Sequence, residues 1–371
     1  MFRIQTILEM ENLLLQGSKT KDLVAAGKTK SKAPGTKLTA QQVRHEVSIF
    51  ARVLVNVYCG WPFHKKILKR KILKKLIDIY NNAYAMTSLE LINQLKPVIE
   101  IIPDNHINLS ISGHGVRAKT GLRKLRPNVG SNVAGNNKFV VKFQKDIGVI
   151  GVRTLIDWTE EDKQTFEQQW RDLLPKVKIL IIDLRNNSGG GSLPIDLLCR
   201  YILGARYPIA RKMYVRNNPD ANAVKNFYKP LNVAVFDPQS DKDPAIYKYI
   251  SKKSIPKFDK TKAGFNGPIY VLINGDVMSA AEIVCTNMQF HPKAKLVGTN
   301  TCGGEVYGNN YAYILFPHSN MIFNVGCVYR ELFVKNFELN GYNPDIKCPD
   351  GTDAMNMALA DIKKTKALNR K

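Results

Sequence analysis

Two short segments carry residue types that could do covalent chemistry. The first is Ile269-Tyr270-Val271-Leu272-Ile273-Asn274-Gly275-Asp276-Val277-Met278-Ser279-Ala280-Ala281-Glu282. An apolar, β-branched run ends in a turn, and Ser279 stands where a helix would begin. That junction suits a nucleophilic hydroxyl. The N–H groups that open a helix have no partner inside it and can face an anion. Starting with Ala280, they could form half an oxyanion hole for acyl transfer. Serine is equally the residue helices favour at the N-cap, and from this segment alone that is the plainer reading. The second segment is Ile181-Ile182-Asp183-Leu184-Arg185-Asn186-Asn187-Ser188-Gly189-Gly190-Gly191. Its glycines permit positive φ and a close approach of backbone to ligand. The GxxxxGK[ST] spacing of a phosphate loop is absent, which leaves a plain strand-to-helix turn as the alternative.

Elements that would position these residues can be read from the hydrophobic pattern. Lys178–Asp183 and Pro268–Ile273 are buried strands, and Phe139–Phe143 and Gly148–Leu155 look like neighbouring ones. Thr159-x-x-Asp162 opens a helix bearing Phe166, Trp170, Leu173 and Leu174, which Pro175 stops. Helices are expected after Gly191 and from Ser279. Further strands are expected at Lys295–Gly298, Tyr311–Phe316 and Met321–Cys327, and residues 216–264 form a polar excursion. Upstream, Thr39 caps a helix carrying Val43, Phe50, Val53, Leu54 and Val57. His64–Asn82 sets Leu68, Ile72, Leu76 and Ile79 on one face, and Thr87-x-x-Glu90 opens a third helix. Residues 17–38 read as a flexible basic linker. The expected organisation is a tail at 1–38, a helical domain at 39–100 and an α/β core at 101–371.

The chain has 371 residues and a formal net charge of +24, of which residues 1–150 carry most, with 25 Lys plus Arg against 9 Asp plus Glu. With 44% apolar residues, wholesale disorder is excluded. No apolar run approaches the roughly 18 residues of a membrane span. The charge favours acidic partners, most plainly at helix 64–82, where an acidic partner or an anionic surface could dock. Without interleaved aromatics or Gly-rich loops, those lysines do not imply a specific nucleic-acid site. The six cysteines form no CxxC pair and no zinc pattern, so they read as small buried residues. Glu9 and Glu11 interrupt what would be the apolar part of an export signal. The expected location is therefore cytoplasmic, with export as the alternative.

Taken together, the two segments resemble the tail-specific, or C-terminal-processing, serine peptidases. That family has an Asp-Leu-Arg-Asn-Asn-x-Gly-Gly strand end and, downstream, Ser-Ala-x-Glu, here Ser279-Ala280-Ala281-Glu282. Val297-Gly298-Thr299-Asn300-Thr301-Cys302-Gly303-Gly304 is similar to its Val-Gly-x-x-Thr-x-Gly segment. Leu315-Phe316-Pro317-His318-Ser319 is similar to its Leu-Pro-Asn-Ser strand. Glu338-Leu339-Asn340-Gly341-Tyr342-Asn343-Pro344-Asp345-Ile346 is similar to its Glu-Gly-x-Gly-x-x-Pro-Asp ending. The resemblance covers about residues 100–360. It implies a spiral ββα core shared with crotonase-like and Clp-protease-like proteins, a polypeptide substrate, and no metal or organic cofactor.

The resemblance also implies roles. Many members use a Ser–Lys dyad, but Gly304 stands where the lysine would be, and glycine cannot deprotonate a serine. The branch typified by the tricorn core protease uses His and Glu instead. His106, in an Asp104-Asn105-His106 turn, is then the base, with His114 its rival. A histidine hydrogen-bonded in a turn is the other reading of His106. Glu338 would orient the base. Asn105 stands where that branch has a serine. The oxyanion hole would join Ala280 N–H to one from Gly189 or Gly190, while Asp183, Arg185 and Glu282 brace the loops. The stretch between His106 and Phe139 is too short for a PDZ domain of about 90 residues, so a tail-reading module is not expected. The resemblance also reaches a non-catalytic branch, the interphotoreceptor retinoid-binding proteins. An inactive ligand- or peptide-binding protein on the same fold is therefore the alternative to a serine endopeptidase.

Overall fold

The computed structural model describes residues 6–25, 35–111, 114–117, 137–204, 213–216, 218–227, 246–249, 264–305, 311–330 and 340–368. The chain folds into two compact units interleaved in sequence. The first comprises Met1–Lys119, Arg211–Ser254 and Val306–Phe333. The second comprises Thr120–Ala210, Ile255–Glu305 and Val334–Lys371.

A six-stranded sheet organises the second unit. Its strand order is Ile346–Lys347, Ala294–Gly298, Ile269–Ile273, Ile179–Asp183, Ile147–Val152, Phe139–Gln144. All neighbours are parallel except the last pair, an antiparallel hairpin. Every residue of the two central strands is buried, which is why both read as unbroken apolar runs rather than alternating ones. Ile179, Ile181, Tyr270, Leu272 and Val297 on one face pack with Ala354, Ala358 and Ile362 of a C-terminal helix, Ala354–Leu368. The alternate residues, Leu180, Ile182, Val271 and Ile273, point to the opposite face and are equally buried. Helices Glu160–Leu173, Ser192–Leu203 and Ala280–Met288 complete the α/β class expected from the sequence.

The first unit holds a five-stranded antiparallel sheet ordered Val24–Ala25, Tyr311–Leu315, Ile322–Gly326, Asn108–Ile111, His114–Arg117. A second sheet joins Ile246–Tyr249, Met213–Arg216 and Val328–Arg330. Within the 216–264 excursion the described residues include a strand, Ile246–Tyr249, and a helix, Pro219–Phe227. Its main helices are Ala40–Arg52, Lys66–Asn81 and Ser88–Ile99. The first begins at a reciprocal Thr39–Gln42 capping box and the last at a Thr87–Glu90 one. A further helix, Ile7–Leu15, opens on a Thr6–Glu9 box. On Lys66–Asn81, Ile72, Leu73, Leu76 and Ile77 are buried, while Lys66, Arg70, Lys71 and Lys74 are exposed. Among the described residues no helix is long and apolar enough to cross a membrane.

Candidate active site

In the second unit three loops leave the carboxyl ends of neighbouring parallel strands, where open α/β sheets place their ligands. They run through 184–191, 274–279 and 299–305. Backbone and side-chain bonds tie them together. Asn186 and Asn274 exchange two hydrogen bonds: Asn186 N–H donates to Asn274 Oδ1 at 3.0 Å, and Asn274 Nδ2 to Asn186 Oδ1 at 2.7 Å. Met278 N–H donates to Asn187 O at 3.1 Å and Cys302 N–H to Val277 O at 2.9 Å.

Ser279 sits at the meeting point with φ 56° and ψ −120°. Such a conformation is unfavourable for a residue with a Cβ, by about 1–3 kcal/mol, and persists only where its surroundings over-determine it. It differs from the extended N-caps of the other helices, such as Thr39 and Thr87. The Ser279 side chain makes no cap hydrogen bond to the helix. The helix N-terminus is satisfied by backbone and by Glu282: Glu282 and Ile283 N–H donate to Ser279 O, and Ala281 N–H donates to Met278 O. Ser279 N–H donates to Glu282 Oε2 at 3.0 Å. Ala280 N–H meets no acceptor among the described residues.

Glu282 is fully buried and holds the serine to the neighbouring loop. Its Oε1 accepts from Thr301 Oγ1 at 2.6 Å and Gly303 N–H at 2.7 Å, and its Oε2 accepts from Gly304 N–H at 2.7 Å. Burial pushes its carboxyl up to about 7, and the nearby Glu305 charge adds to the rise, while the Thr301, Gly304 and Gly303 bonds pull it down. Glu305, also buried, accepts from Thr286 Oγ1 at 2.7 Å and Tyr342 Oη at 3.2 Å. Sequence reasoning gave Glu305 no role, because its partners Thr286 and Tyr342 are remote in sequence and leave no periodic signal.

The glycine loop lies directly against the serine. A Cβ on Gly189 (φ +102°) would stand 2.9 Å from Ala280 N and 3.0 Å from Ser279 Cβ. One on Gly190 (φ +148°) would lie 2.1 Å from the Leu155 carbonyl carbon. Both positions thus demand glycine, for space as well as for φ. The two differ as donors. Gly189 N–H donates to Asn187 Oδ1 at 2.9 Å, whereas Gly190 N–H meets no acceptor among the described residues and is exposed. Behind the loop, Arg185 pairs with Asp183 through two bonds, Nε to Oδ1 at 2.8 Å and Nη2 to Oδ2 at 2.7 Å. Its Nη1 reaches Asp353 Oδ2 at 3.0 Å. Those carboxylates hold the guanidinium pKa above its ordinary value against the opposing effect of burial.

His106 and Asn105 belong to the first unit, in the turn before strand Asn108–Ile111, and both are buried. His106 N–H donates to Asp104 Oδ1 at 2.7 Å. His114 opens the adjoining strand of the same unit. Glu338 lies outside the described residues. The second unit therefore brings together Ser279, Ala280, Gly189, Gly190 and Glu282. Among the described residues no group of three or more His, Cys, Asp or Glu is arranged to hold a metal.

A strained serine between a buried strand and a helix N-terminus, beside N–H groups that meet no acceptor among the described residues, is an arrangement that serine hydrolases use. The model of peptidase family S41 matches residues 146–348, more than half of the chain, and the chain belongs to that family of serine peptidases. Among solved structures it is similar to a candidate peptidase from Parabacteroides merdae. The two are 17% identical with a TM-score of 0.57, over 86% of this chain and 93% of that one. It is also similar to a lipoprotein from Streptococcus agalactiae, at 16% identity and a TM-score of 0.48, over 91% and 99%. No curated protein matches the chain.

Proposed function

We propose that the protein is a serine endopeptidase that cleaves polypeptides through an acyl-enzyme. Ser279 Oγ bonds to the scissile carbonyl carbon while His106 takes its proton. His106 then returns that proton to the amine as the C–N bond breaks, and water repeats the sequence on the ester. Ala280 N–H and Gly190 N–H hold the oxyanion. Gly189 is the poorer choice because its N–H already bonds Asn187 Oδ1. Glu338 orients the histidine, as in the branch typified by the tricorn core protease. The single observation that carries the reading is the positive φ of Ser279 beside two N–H groups that meet no acceptor among the described residues. The basic face of Lys66–Asn81 would meet an acidic partner or anionic surface, with an affinity that falls steeply with salt.

Hydrolysis of a mixed library of unstructured peptides tests this reading. The wild-type chain is expected to cleave, and Ser279→Ala and His106→Ala to lose at least about 10³-fold in rate. Cleavage by Ser279→Ala at the wild-type rate would refute it. A folded wild-type chain that cleaves nothing would favour the alternative, a binding protein on this fold.

A further inference from the structure

The turn that carries His106 holds a carboxylate of its own. Asp104 is completely buried. Its Oδ1 accepts the His106 backbone N–H at 2.7 Å and lies 3.6 Å from His106 Nδ1, with the two side chains only 0% and 3% exposed. At 3.6 Å the side-chain contact is an ion-pair distance for a protonated ring rather than a hydrogen bond. No donor among the described residues reaches the other oxygen, Oδ2. A buried carboxylate with one oxygen lacking a donor attracts the nearest proton-bearing ring nitrogen, because burial makes an incompletely compensated charge expensive.

We propose that Asp104 is a positioning residue for the base: it keeps the His106 proton on Nδ1, so that Nε2 carries the lone pair that accepts the serine proton, and it stabilises the imidazolium that follows. This rests on the reading of His106 as the base. It adds a carboxylate to Glu338 rather than replacing it. The turn is suited to the task because the hydrogen bond to His106 N–H prevents Asp104 from swinging away as charge develops on the ring. Asp104 acts on Cys59 and His64, and Cys59 in turn feels Cys327 and Arg216. Burial raises the Cys59 thiol and lowers His64 to about 4, so both are neutral at pH 7. Arg216, which acts on Cys59, and Lys69, which acts on His64, are the lasting cations of that group.

The test compares fluorophosphonate labelling of Ser279 across pH in wild type, Asp104→Asn and His106→Ala, with ¹⁵N NMR of the His106 ring. Asparagine keeps an acceptor for the His106 N–H, so the turn is retained. Labelling by Asp104→Asn is expected to slow by between about 10²- and 10⁴-fold. The wild-type ring should carry its neutral-state proton on Nδ1. A wild-type ring protonated on Nε2 would overturn the proposal whether or not the variant folds. So would Asp104→Asn labelling within threefold of wild type while His106→Ala is inert, an outcome that leaves His106 as the base. His106→Ala labelling at the wild-type rate would defeat the reading of His106 and the proposal with it.

Discussion

Each unit contains a completely buried glutamate that seats a turn, yet the two do different work. In the first unit Glu46, on helix Ala40–Arg52, accepts the N–H groups of His318 and Ser319 at 2.8 and 2.6 Å, both on Oε1. No donor among the described residues reaches its Oε2. In the second unit all of Glu282's acceptor capacity is engaged: two donors meet each oxygen, three of them from the loop after strand Ala294–Gly298 and one from Ser279 itself. The first arrangement packs an ordinary turn. The second fixes the backbone of a strained serine while leaving the next N–H open. A buried carboxylate is thus no mark of a functional site by itself; what distinguishes Glu282 is the conformation it enforces.

That contrast predicts unequal responses to the same substitution. Glu282→Gln has one acceptor oxygen and an –NH₂ that must face at least one backbone N–H in either orientation. It should lose roughly 3–5 kcal/mol of stability and slow labelling of Ser279 by at least about a hundredfold. Denaturant unfolding and labelling rates check both effects, and unchanged labelling would erase the distinction. A smaller effect follows from pH. The Glu282 carboxyl lies near 7 in the folded chain against an ordinary 4.5. Between those values the folded state retains a proton that the unfolded state has lost. Stability should therefore fall as pH rises from 4.5 to about 7, by up to about 3 kcal/mol from this group. Burial raises Glu46 as well, which adds to the same slope. Unfolding free energies from pH 4 to 8 test the sign, and the slope should be shallower in Glu282→Gln. The smallest effect is that of Glu46→Gln. Its amide nitrogen can take the Oε2 position while Oε1 keeps both N–H bonds, so about 1 kcal/mol is expected, with labelling within twofold of wild type.

Much of this arrangement is legible in the residues. Threonines at 39, 87 and 159 announce helix starts because their side chains accept the third N–H, and the all-apolar strands around Ile181 and Val271 follow from burial on both faces. The segment containing Ser279 was also readable, as a strand, turn and helix. Its φ was not, because positive φ at a serine comes from loops distant in sequence rather than from local propensity. The separation of Gly189 from Gly190 was equally hidden. It depends on which glycine N–H the Asn187 side chain captures. Helix Ile7–Leu15 is hard to read from the residues because Glu9 and Glu11 interrupt its apolar run, although Glu9 is half of a capping box. The strands Met213–Arg216 and Ile246–Tyr249 pair with each other and with Val328–Arg330, partners separated from them by long stretches of chain.

The central claim is that Ser279 is a nucleophile whose oxyanion is held by Ala280 and Gly190. A crystal structure of the fluorophosphonate adduct addresses it most directly. Phosphorus should be bonded to Ser279 Oγ, with the phosphoryl oxygen about 2.7–3.1 Å from both Ala280 N and Gly190 N. An adduct on another residue, or a phosphoryl oxygen turned away from both N–H groups, would contradict it.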